Sequence, residues 1–159
     1  IIQDRIGGDE QADLNYLVDE FLRPLGLTSA VFEMDASGQL MGSSYLYATA
    51  RDWAKVGQLM LNGGEINGIR LVSEQWVVDS LQPNDSDNEQ AYGYQWWLNS
   101  GDSQLRWPDL PANSFAARGN REQRVMVLPD ADLVLVRLGW SEGDYPDNEN
   151  FKQILDWFN

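Results

Sequence analysis

The residues best suited to covalent catalysis are sparse in this sequence. A serine nucleophile activated by lysine requires Ser-x-x-Lys on a helix, because one helical turn brings the amine beside the hydroxyl. The chain has two lysines, and the residues three positions before Lys55 and Lys152 are Asp52 and Glu149. The sequence therefore has no serine–lysine pair of this type.

Other common catalytic and ligand-binding patterns are also absent. The chain contains no His and no Cys, which excludes a Ser-His-Asp triad, a thiolate nucleophile and zinc sites built on these residues. The glycine-rich patterns that bind phosphates or dinucleotides do not occur either. The sequence predicts no catalytic residue in this chain, no metal site and no cofactor.

Composition predicts one globular domain over residues 1–159. With 43% hydrophobic residues, among them seven Trp, the chain can fill a core of that size. The formal charge of -14 repels nucleic acid and anionic membrane surfaces, which require basic residues for binding. No apolar run is long enough to span a bilayer, so neither nucleic acid nor a membrane span is expected.

Apolar spacing and turn residues predict the elements of the first half of the chain. Leucines and aromatics at i, i+3, i+4 and i+7 predict a helix over 14–21, ended by Pro24 and Gly26. A short strand over 31–34 precedes a turn. A second helix begins at Thr49, capped with the help of Asp52, and ends at residues 62–64. A third begins at Ser73 and directs Trp76, Val77 and Leu81 inward, before a polar loop over 84–90.

The second half is predicted to be mainly antiparallel sheet. Residues 92–98 and Phe115–Gly119 have strand composition, and 125–128 with 133–138 predict a hairpin around Pro129. A final helix that packs on the sheet is predicted from the spacing of Phe151, Ile154, Leu155 and Phe158. This order of elements favours an α+β architecture. Trp96, Trp97 and Trp107 leave open an exposed platform for stacking sugars, although buried aromatics are the more common use.

Several stretches in register resemble one family. Residues 42–57 are similar to a stretch of the β-lactamase-related serine hydrolases, the broad family of class C β-lactamases, penicillin-binding-protein-like carboxylesterases and 6-aminohexanoate-dimer hydrolases. The resemblance continues upstream in residues 21–27 and downstream in 67–76, 92–99 and 115–139. It implies the C-terminal portion of a β-lactamase/transpeptidase-like fold, an antiparallel sheet with flanking helices.

The family resemblance also implies where the chemistry lies. Residues 1–8 are similar to the stretch that follows the family's catalytic Tyr, so the nucleophilic Ser, its Lys and the Tyr are expected upstream of Ile1. This chain would then supply one wall of the substrate pocket and be inactive alone. The pocket residues that the resemblance implies are Ser43, Ser44, Tyr45, Gly119, Asn120 and Arg121.

The third active-site motif departs from the family pattern. It usually reads Gly-His-x-Gly-Gln, whereas residues 119–123 read Gly-Asn-Arg-Glu-Gln. Asn120 keeps a hydrogen-bond donor but cannot titrate near neutral pH, and Glu122 adds an anion where substrate would approach the backbone. A carboxylate there opposes a developing oxyanion unless Arg118, Arg121 or Arg124 pairs with it.

Two hypotheses follow from the sequence. The first is a cofactor-free serine hydrolase that cleaves an ester, amide or β-lactam through an acyl-enzyme. The second is a non-catalytic ligand-binding module of the same fold that uses Trp97, Tyr45 or Arg121. Expected partners are a small-molecule substrate, the upstream segment of the same protein, and further copies of the chain through an open sheet edge. The resemblance favours a periplasmic or secreted bacterial location.

Overall fold

The computed structural model describes Arg5, Gly7 and residues 9–85, 90–100 and 104–158 of the chain. Most of residues 1–8 and most of the predicted polar loop over 84–90 lie outside the described residues. The helices are α1 (Glu10–Leu17), continued by a π-helical turn (Val18–Leu22) and a last turn (Arg23–Leu25), α2 (Ala50–Leu61), α3 (Glu74–Ser80) and α4 (Asp147–Leu155). The strands are β1 (Val31–Phe32), β2 (Leu46–Tyr47), β3 (Glu65–Ile66), β4 (Ile69–Arg70), β5 (Trp97–Leu98), β6 (Phe115–Gly119), β7 (Gln123–Leu128) and β8 (Leu133–Arg137).

The main sheet has four antiparallel strands in the order β5-β6-β7-β8. The predicted hairpin is confirmed: β7 and β8 pair from Leu128 opposite Leu133 to Arg124 opposite Arg137. Their connection is a 3₁₀ turn (Pro129–Ala131) that ends at Asp132, which has a left-handed backbone. The α+β prediction is confirmed as well.

The alternation of side chains along β7 divides the core into two layers. Val127 lies in one buried cluster, with Met60 of α2 and Phe115 of β6. Met126 lies on the opposite face, in a cluster with Phe151 of α4. Because successive strand residues point to opposite faces, one sheet is covered by α2 on one side and by α4 on the other.

A third cluster attaches the N-terminal helix to α2. Leu25 and Leu27 are buried together with Leu59 of α2 and Ile66 of β3. The helical segment passes through Pro24 to Leu25, and Gly26 ends it with a left-handed backbone, φ 66°. The helix predicted over 14–21 therefore exists, but its stop is the glycine and not the proline.

The predicted caps Thr49 and Ser73 of the two central helices are confirmed. The Asp52 carboxylate, predicted to help cap α2, bonds to Ser29 and Lys55 instead. The hydroxyl of Thr49 accepts the Asp52 N–H at the start of α2, and that of Ser73 accepts the Trp76 N–H at the start of α3. β3 and β4 are joined by Asn67 and Gly68, both with positive φ, the requirement of a tight hairpin turn.

Two sequence predictions about aromatic residues are wrong, and the less favoured alternative for the tryptophans is excluded. Trp76 is 48% exposed, because the short helix α3 buries only the face of Val77 and Ser80. Phe158 is 68% exposed, because α4 ends at Leu155 and the helical spacing does not continue. Trp96 and Trp107 are buried, which removes the exposed sugar platform.

The predicted strand over 92–98 is mostly a tight turn. Its strand part is β5, and Tyr92 forms an isolated bridge with Trp97. Gln95 has a positive φ of 68°, and the Gly93 N–H donates to the Trp96 carbonyl, so the chain folds back on itself. Within the part of the chain that the structure describes, no helix is long and apolar enough to cross a membrane.

Candidate active-site wall

The third-motif residues form the turn between β6 and β7. Gly119 pairs with Gln123 as the last rung of the β6–β7 ladder, and Asn120–Glu122 forms the three-residue loop between the two strands. Arg121 and Glu122 both have left-handed backbones, with φ of 58° and 67°. Two consecutive non-glycine residues in this region store strain, which concentrates at functional sites.

Glu122 is the centre of an ion-pair network behind this turn. Its carboxylate contacts the guanidinium of Arg124, lies 3.6 Å from Arg118 Nη2, and accepts the backbone N–H of Tyr145. Burial alone would raise the pKa of Glu122, but the charge and hydrogen bond of Arg124, the charge of Arg118 and the Tyr145 N–H outweigh it. The pKa is therefore lowered from its ordinary value, and the anion is neutralised by its neighbours.

Two of the three arginines that the sequence offered as partners for Glu122 pair with it, and the third does not. Arg118 and Arg124 pair with Glu122, whereas Arg121 stacks on Trp140 at 4.8 Å from the ring centroid. The Arg124 side chain is 1% exposed and its Nε donates to Asp147 Oδ2 at 2.7 Å, which ties β7 to the start of α4.

The end of β8 and the segment after it bond to the turn. The Gln123 side-chain amide bonds to both the N–H and the carbonyl of Gly139. Arg137 donates to the Glu122 carbonyl at 2.5 Å and to Ser141 Oγ at 2.7 Å. Ser141 in turn donates its N–H to the Arg121 carbonyl at 3.3 Å. The strained turn is therefore held by bonds to both its backbone and its side chains.

Two arginines and a second aromatic ring contact Trp97 of β5. The guanidinium groups of Arg106 and Arg118 lie 4.5 and 5.4 Å from the ring centroid of Trp97. Tyr92 meets the same ring edge-on at 4.8 Å. The Trp97 ring therefore contacts two cationic side chains, of which Arg118 is also ion-paired with Glu122.

The other predicted pocket residues lie on the loop before β2. Ser43, Ser44 and Tyr45 are exposed, and Tyr45 has a left-handed backbone, φ 68°. The Tyr45 carbonyl accepts the Glu33 N–H, which fixes the loop to the start of the β1–β2 hairpin. Within the described ranges, no hydrogen bond or ion pair joins this loop to the β6–β7 turn, so a shared pocket stays a prediction.

A buried polar network at the start of α2 was missed by the sequence analysis. Asp52 is 4% exposed; it accepts Lys55 Nζ at 2.7 Å and both the N–H and the hydroxyl of Ser29, at 2.8 and 2.6 Å. The hydrogen bond from Lys55, followed by those from Ser29, lowers the pKa of Asp52 from 3.8 to about 2. Lys55 also donates to the Gly26 carbonyl.

This network is structural in character. Ser29 Oγ accepts the Thr49 N–H at 3.0 Å, the amide that a capping Glu or Asp would otherwise take. The Asp52 carboxylate therefore turns away from the helix start and holds the 26–29 segment instead. Among residues 9–85, 90–100 and 104–158, no group of three or more acidic side chains could hold a metal ion.

Comparisons with known proteins agree with this fold. No family model matches the chain. A curated relative, the 6-aminohexanoate-dimer hydrolase of Paenarthrobacter ureafaciens, is 28% identical over 127 residues, 72% of this chain. The chain spans about 30% of that relative's length.

Solved structures give the same result. A protein from Bacillus anthracis assigned as a 6-aminohexanoate-dimer hydrolase superposes with a TM-score of 0.67 at 22% identity, over 95% of this chain and 38% of its own. A β-lactamase from Mycobacterium bovis superposes with a TM-score of 0.61 at 20% identity, over 90% of this chain and 54% of its own. The partial coverage is consistent with the predicted C-terminal part, and the chain has the fold of the β-lactamase-related serine hydrolases.

Proposed function

We propose that the protein is a serine hydrolase that cleaves an ester, amide or β-lactam through an acyl-enzyme, and that this chain supplies the third-motif strand and a pocket wall. The observation that carries the proposal is the strained turn Asn120–Glu122 at the end of β6, in a fold similar to proteins named as hydrolases of an aminohexanoate dimer and as β-lactamases. Residues 1–159 would then form one incomplete domain.

The turn offers groups suited to a substrate. Gly119 and Asn120 are exposed where β6 ends, and β5 pairs only with the opposite end of that strand, at Phe115 and Ala116. The Asn120 amide can donate a hydrogen bond, and the backbone beside Gly119 is open to close approach. Arg121, held on Trp140, adds a positive charge at the rim. Ser43, Ser44 and Tyr45 are proposed as the polar groups of a second part of the wall.

The catalytic Ser, Lys and Tyr would come from outside these 159 residues. The lysine amine nearest the proposed wall in sequence, that of Lys55, is hydrogen-bonded to Asp52 and to the Gly26 carbonyl, so it belongs to the network that holds the 26–29 segment. Within the described residues, no base is hydrogen-bonded to Ser43 or Ser44. We therefore expect the chain alone to be inactive.

Labelling with a fluorophosphonate, a general probe of activated serine, tests the proposal. Intact-mass analysis is expected to show no stoichiometric adduct on the 159-residue chain, and one adduct on the longer protein that includes the upstream sequence. Peptide mapping should place that adduct on a Ser of Ser-x-x-Lys. A stoichiometric adduct on the chain alone, with Ser43 and Ser44 the first to map, would contradict the proposal.

A second candidate is a non-catalytic ligand-binding module. Glu122 favours this candidate, because it places a charged side chain where the family pattern has Gly. The backbone of Glu122 keeps the left-handed conformation that glycine adopts without strain. Trp97, Tyr45 and Arg121 would then serve recognition. Saturable binding of an ester or β-lactam by the longer protein, without turnover and without a covalent adduct, would favour this candidate over the hydrolase.

A further inference from the structure

Two Asn-Gly pairs occur in the sequence, at Asn62–Gly63 and Asn67–Gly68. In such a pair the backbone nitrogen of the glycine can attack the side-chain amide carbon of the asparagine. Glycine favours this attack, because it has no Cβ to crowd its nitrogen and adopts many backbone conformations. Since the two pairs are chemically the same, the surrounding structure decides which of them reacts.

The first pair lies at the end of α2 and is locked there. The Gly63 N–H donates to the Met60 carbonyl at 3.1 Å, and the Gly64 N–H donates to the Leu59 carbonyl at 2.8 Å. These bonds close the last turn of the helix. Gly64 also packs tightly, since a Cβ there would lie 2.4 Å from the Val72 carbonyl oxygen. The attacking nitrogen is therefore held by a hydrogen bond, and its release requires the helix end to open.

The second pair forms the tip of the β3–β4 hairpin. Asn67 and Gly68 are both exposed, and a Cβ at Gly68 would meet no atom within 4 Å. Within the described ranges, neither the Asn67 side chain nor the Gly68 N–H makes a hydrogen bond. The nitrogen that would attack and the amide that it would attack therefore break no hydrogen bond when they react.

The hairpin that carries this tip is short. β3 and β4 have two residues each and, in the part of the chain that the structure describes, pair with each other alone. The rung beside the tip joins Ile66, which is 7% exposed, to Ile69, which is 51% exposed. The left-handed backbone of Asn67, φ 52°, must rotate before the nitrogen can reach the side chain. Two-stranded hairpins are marginally stable and exposed segments open readily, so the tip can open while Ile66 stays buried.

We propose that Asn67–Gly68 is a site of spontaneous modification, at which Asn67 deamidates through a cyclic imide. The Gly68 nitrogen loses its proton and forms a bond to Asn67 Cγ, the bond from Cγ to Nδ2 breaks, and ammonia leaves. Water then adds to one of the two carbonyls of the ring, which gives either aspartate or isoaspartate. The reaction needs only water, and it does not depend on the proposed hydrolase function.

The isoaspartate product changes the hairpin more than the aspartate product does. Its main chain runs through the side-chain carbon and so gains one methylene group in a turn of two residues. Because the length of the turn fixes the register of a hairpin, we expect the Ile66–Ile69 pair to be displaced. Ile66 is buried with Leu25 and Leu59, so the change reaches the third cluster. Aspartate keeps the length of the turn and tolerates the left-handed backbone.

Ageing the 159-residue chain in mildly alkaline buffer, both folded and in urea, tests the proposal. Peptide mapping by mass spectrometry follows the conversion of both asparagines, and a protein isoaspartate methyltransferase labels the isoaspartate. In the folded chain, Asn67 is expected to convert at least about tenfold faster than Asn62, because opening the helix end costs more than opening the tip. In urea the two rates should agree to within about twofold, since the fold no longer distinguishes the pairs. Equal rates in the folded chain, or no conversion of Asn67 over a period in which the unfolded chain reacts, would overturn the proposal.

Asn67→Asp is the matched control for the effect on the hairpin. It carries the charge of the aspartate product and has no side-chain ammonia to lose. Its thermal unfolding midpoint should lie within about 2 °C of that of the fresh chain. The aged fraction with isoaspartate at position 67 should unfold at least about 4 °C lower, because its turn is longer. An isoaspartate fraction that unfolds together with the fresh chain would overturn the expected displacement of Ile66.

Discussion

Glu122 makes two opposing contributions to the stability of the fold. Its left-handed backbone costs about 1–2 kcal/mol for a residue with a Cβ. Its carboxylate, in return, neutralises Arg124, whose side chain is 1% exposed and has Asp147 as its other anionic partner. The strain of the turn is thus tolerated because the buried guanidinium requires the second carboxylate.

Comparing Glu122→Gly with Glu122→Ala isolates the backbone contribution. Both variants remove the carboxylate and are expected to destabilise the chain by about 1–3 kcal/mol. Only the glycine relieves the strain, so Glu122→Gly should be about 1 kcal/mol more stable than Glu122→Ala. Urea unfolding midpoints measure the difference. Equal or higher stability of the alanine variant would show that the turn relaxes without glycine.

Asp52 links the stability of the chain to pH. The pKa of Asp52 in the folded state is lowered from 3.8 to about 2. Its contribution to the free energy of unfolding is therefore fully present above pH 3.8 and is lost as the pH falls towards about 2. Asp52→Asn should be about 1–3 kcal/mol less stable than the parent at neutral pH, with the difference shrinking across that acid window.

The matched control for Asp52 is Asp79→Asn. Asp79 is exposed on α3 and accepts one bond, from Gln75 Nε2 at 2.9 Å. Its replacement should change stability by less than about 0.5 kcal/mol. Unfolding free energies of the parent, Asp52→Asn and Asp79→Asn, measured at several pH values, test whether the contribution of Asp52 is lost at acid pH. A constant difference between the parent and Asp52→Asn down to the lowest pH would be evidence against the lowered pKa.

Contacts between residues close in sequence could be predicted at this site, and contacts between residues far apart in sequence could not. Arg118, Glu122 and Arg124 are neighbours along a strand, turn and strand, so their pairing could be anticipated from spacing. Ser29 lies 23 positions before Asp52 and meets it only because the N-terminal helix packs on α2. Residue types and spacing carry no signal for such a contact.

At the scale of elements, Gly57 shows how closely α2 approaches the sheet. A Cβ at this position would lie 2.6 Å from Val134 Cγ1 and 2.9 Å from Val125 Cγ1. Helix propensity alone would make Gly57→Ala stabilising by about 1 kcal/mol. Overlap with the two valines should reverse the sign and destabilise the chain by about 1–3 kcal/mol.

A double variant tests this steric explanation. Val134→Ala removes the nearest methyl group, so Gly57→Ala combined with Val134→Ala should cost at least about 0.5 kcal/mol less than the sum of the single variants. Gln58→Ala, at the exposed neighbouring position of α2, is the control and should change stability by less than about 0.5 kcal/mol. Additive effects in denaturant unfolding would rule out the overlap with Val134.

Element prediction succeeded where local signals were strong and failed where tertiary packing decided. The caps at Thr49 and Ser73 and the hairpin at Pro129 depend on short-range chemistry, and all three were predicted. Residues 92–97 have strand composition but turn back at Gln95. Trp76 was placed inward by periodicity, yet α3 is too short to bury it. Neither failure has a cause visible within a local window of sequence.

At the scale of the whole molecule, the two faces of the sheet are covered, and β8 is one of its two edge strands. Leu133 and Leu135 of β8 pack against the cluster on the α4 side, and Val134 packs against the cluster on the α2 side. In the described part of the chain, β8 pairs with β7 on one side and with no strand on the other. An unpaired edge strand is a template for association with another chain.

We therefore expect the 159-residue chain to self-associate, or to co-purify with the upstream segment that we propose when both are expressed. Leu138→Lys, directly after β8, should weaken self-association, because a charge at the edge opposes strand pairing. Val78→Lys on α3 is the matched control, since the two side chains are 48% and 49% exposed and lose similar apolar area.

Light scattering across a concentration series, with binding of a hydrophobic dye, measures the effect. A monodisperse monomer that binds no dye would show that the edge of β8 is already protected, and equal weakening by both variants would place the association surface elsewhere.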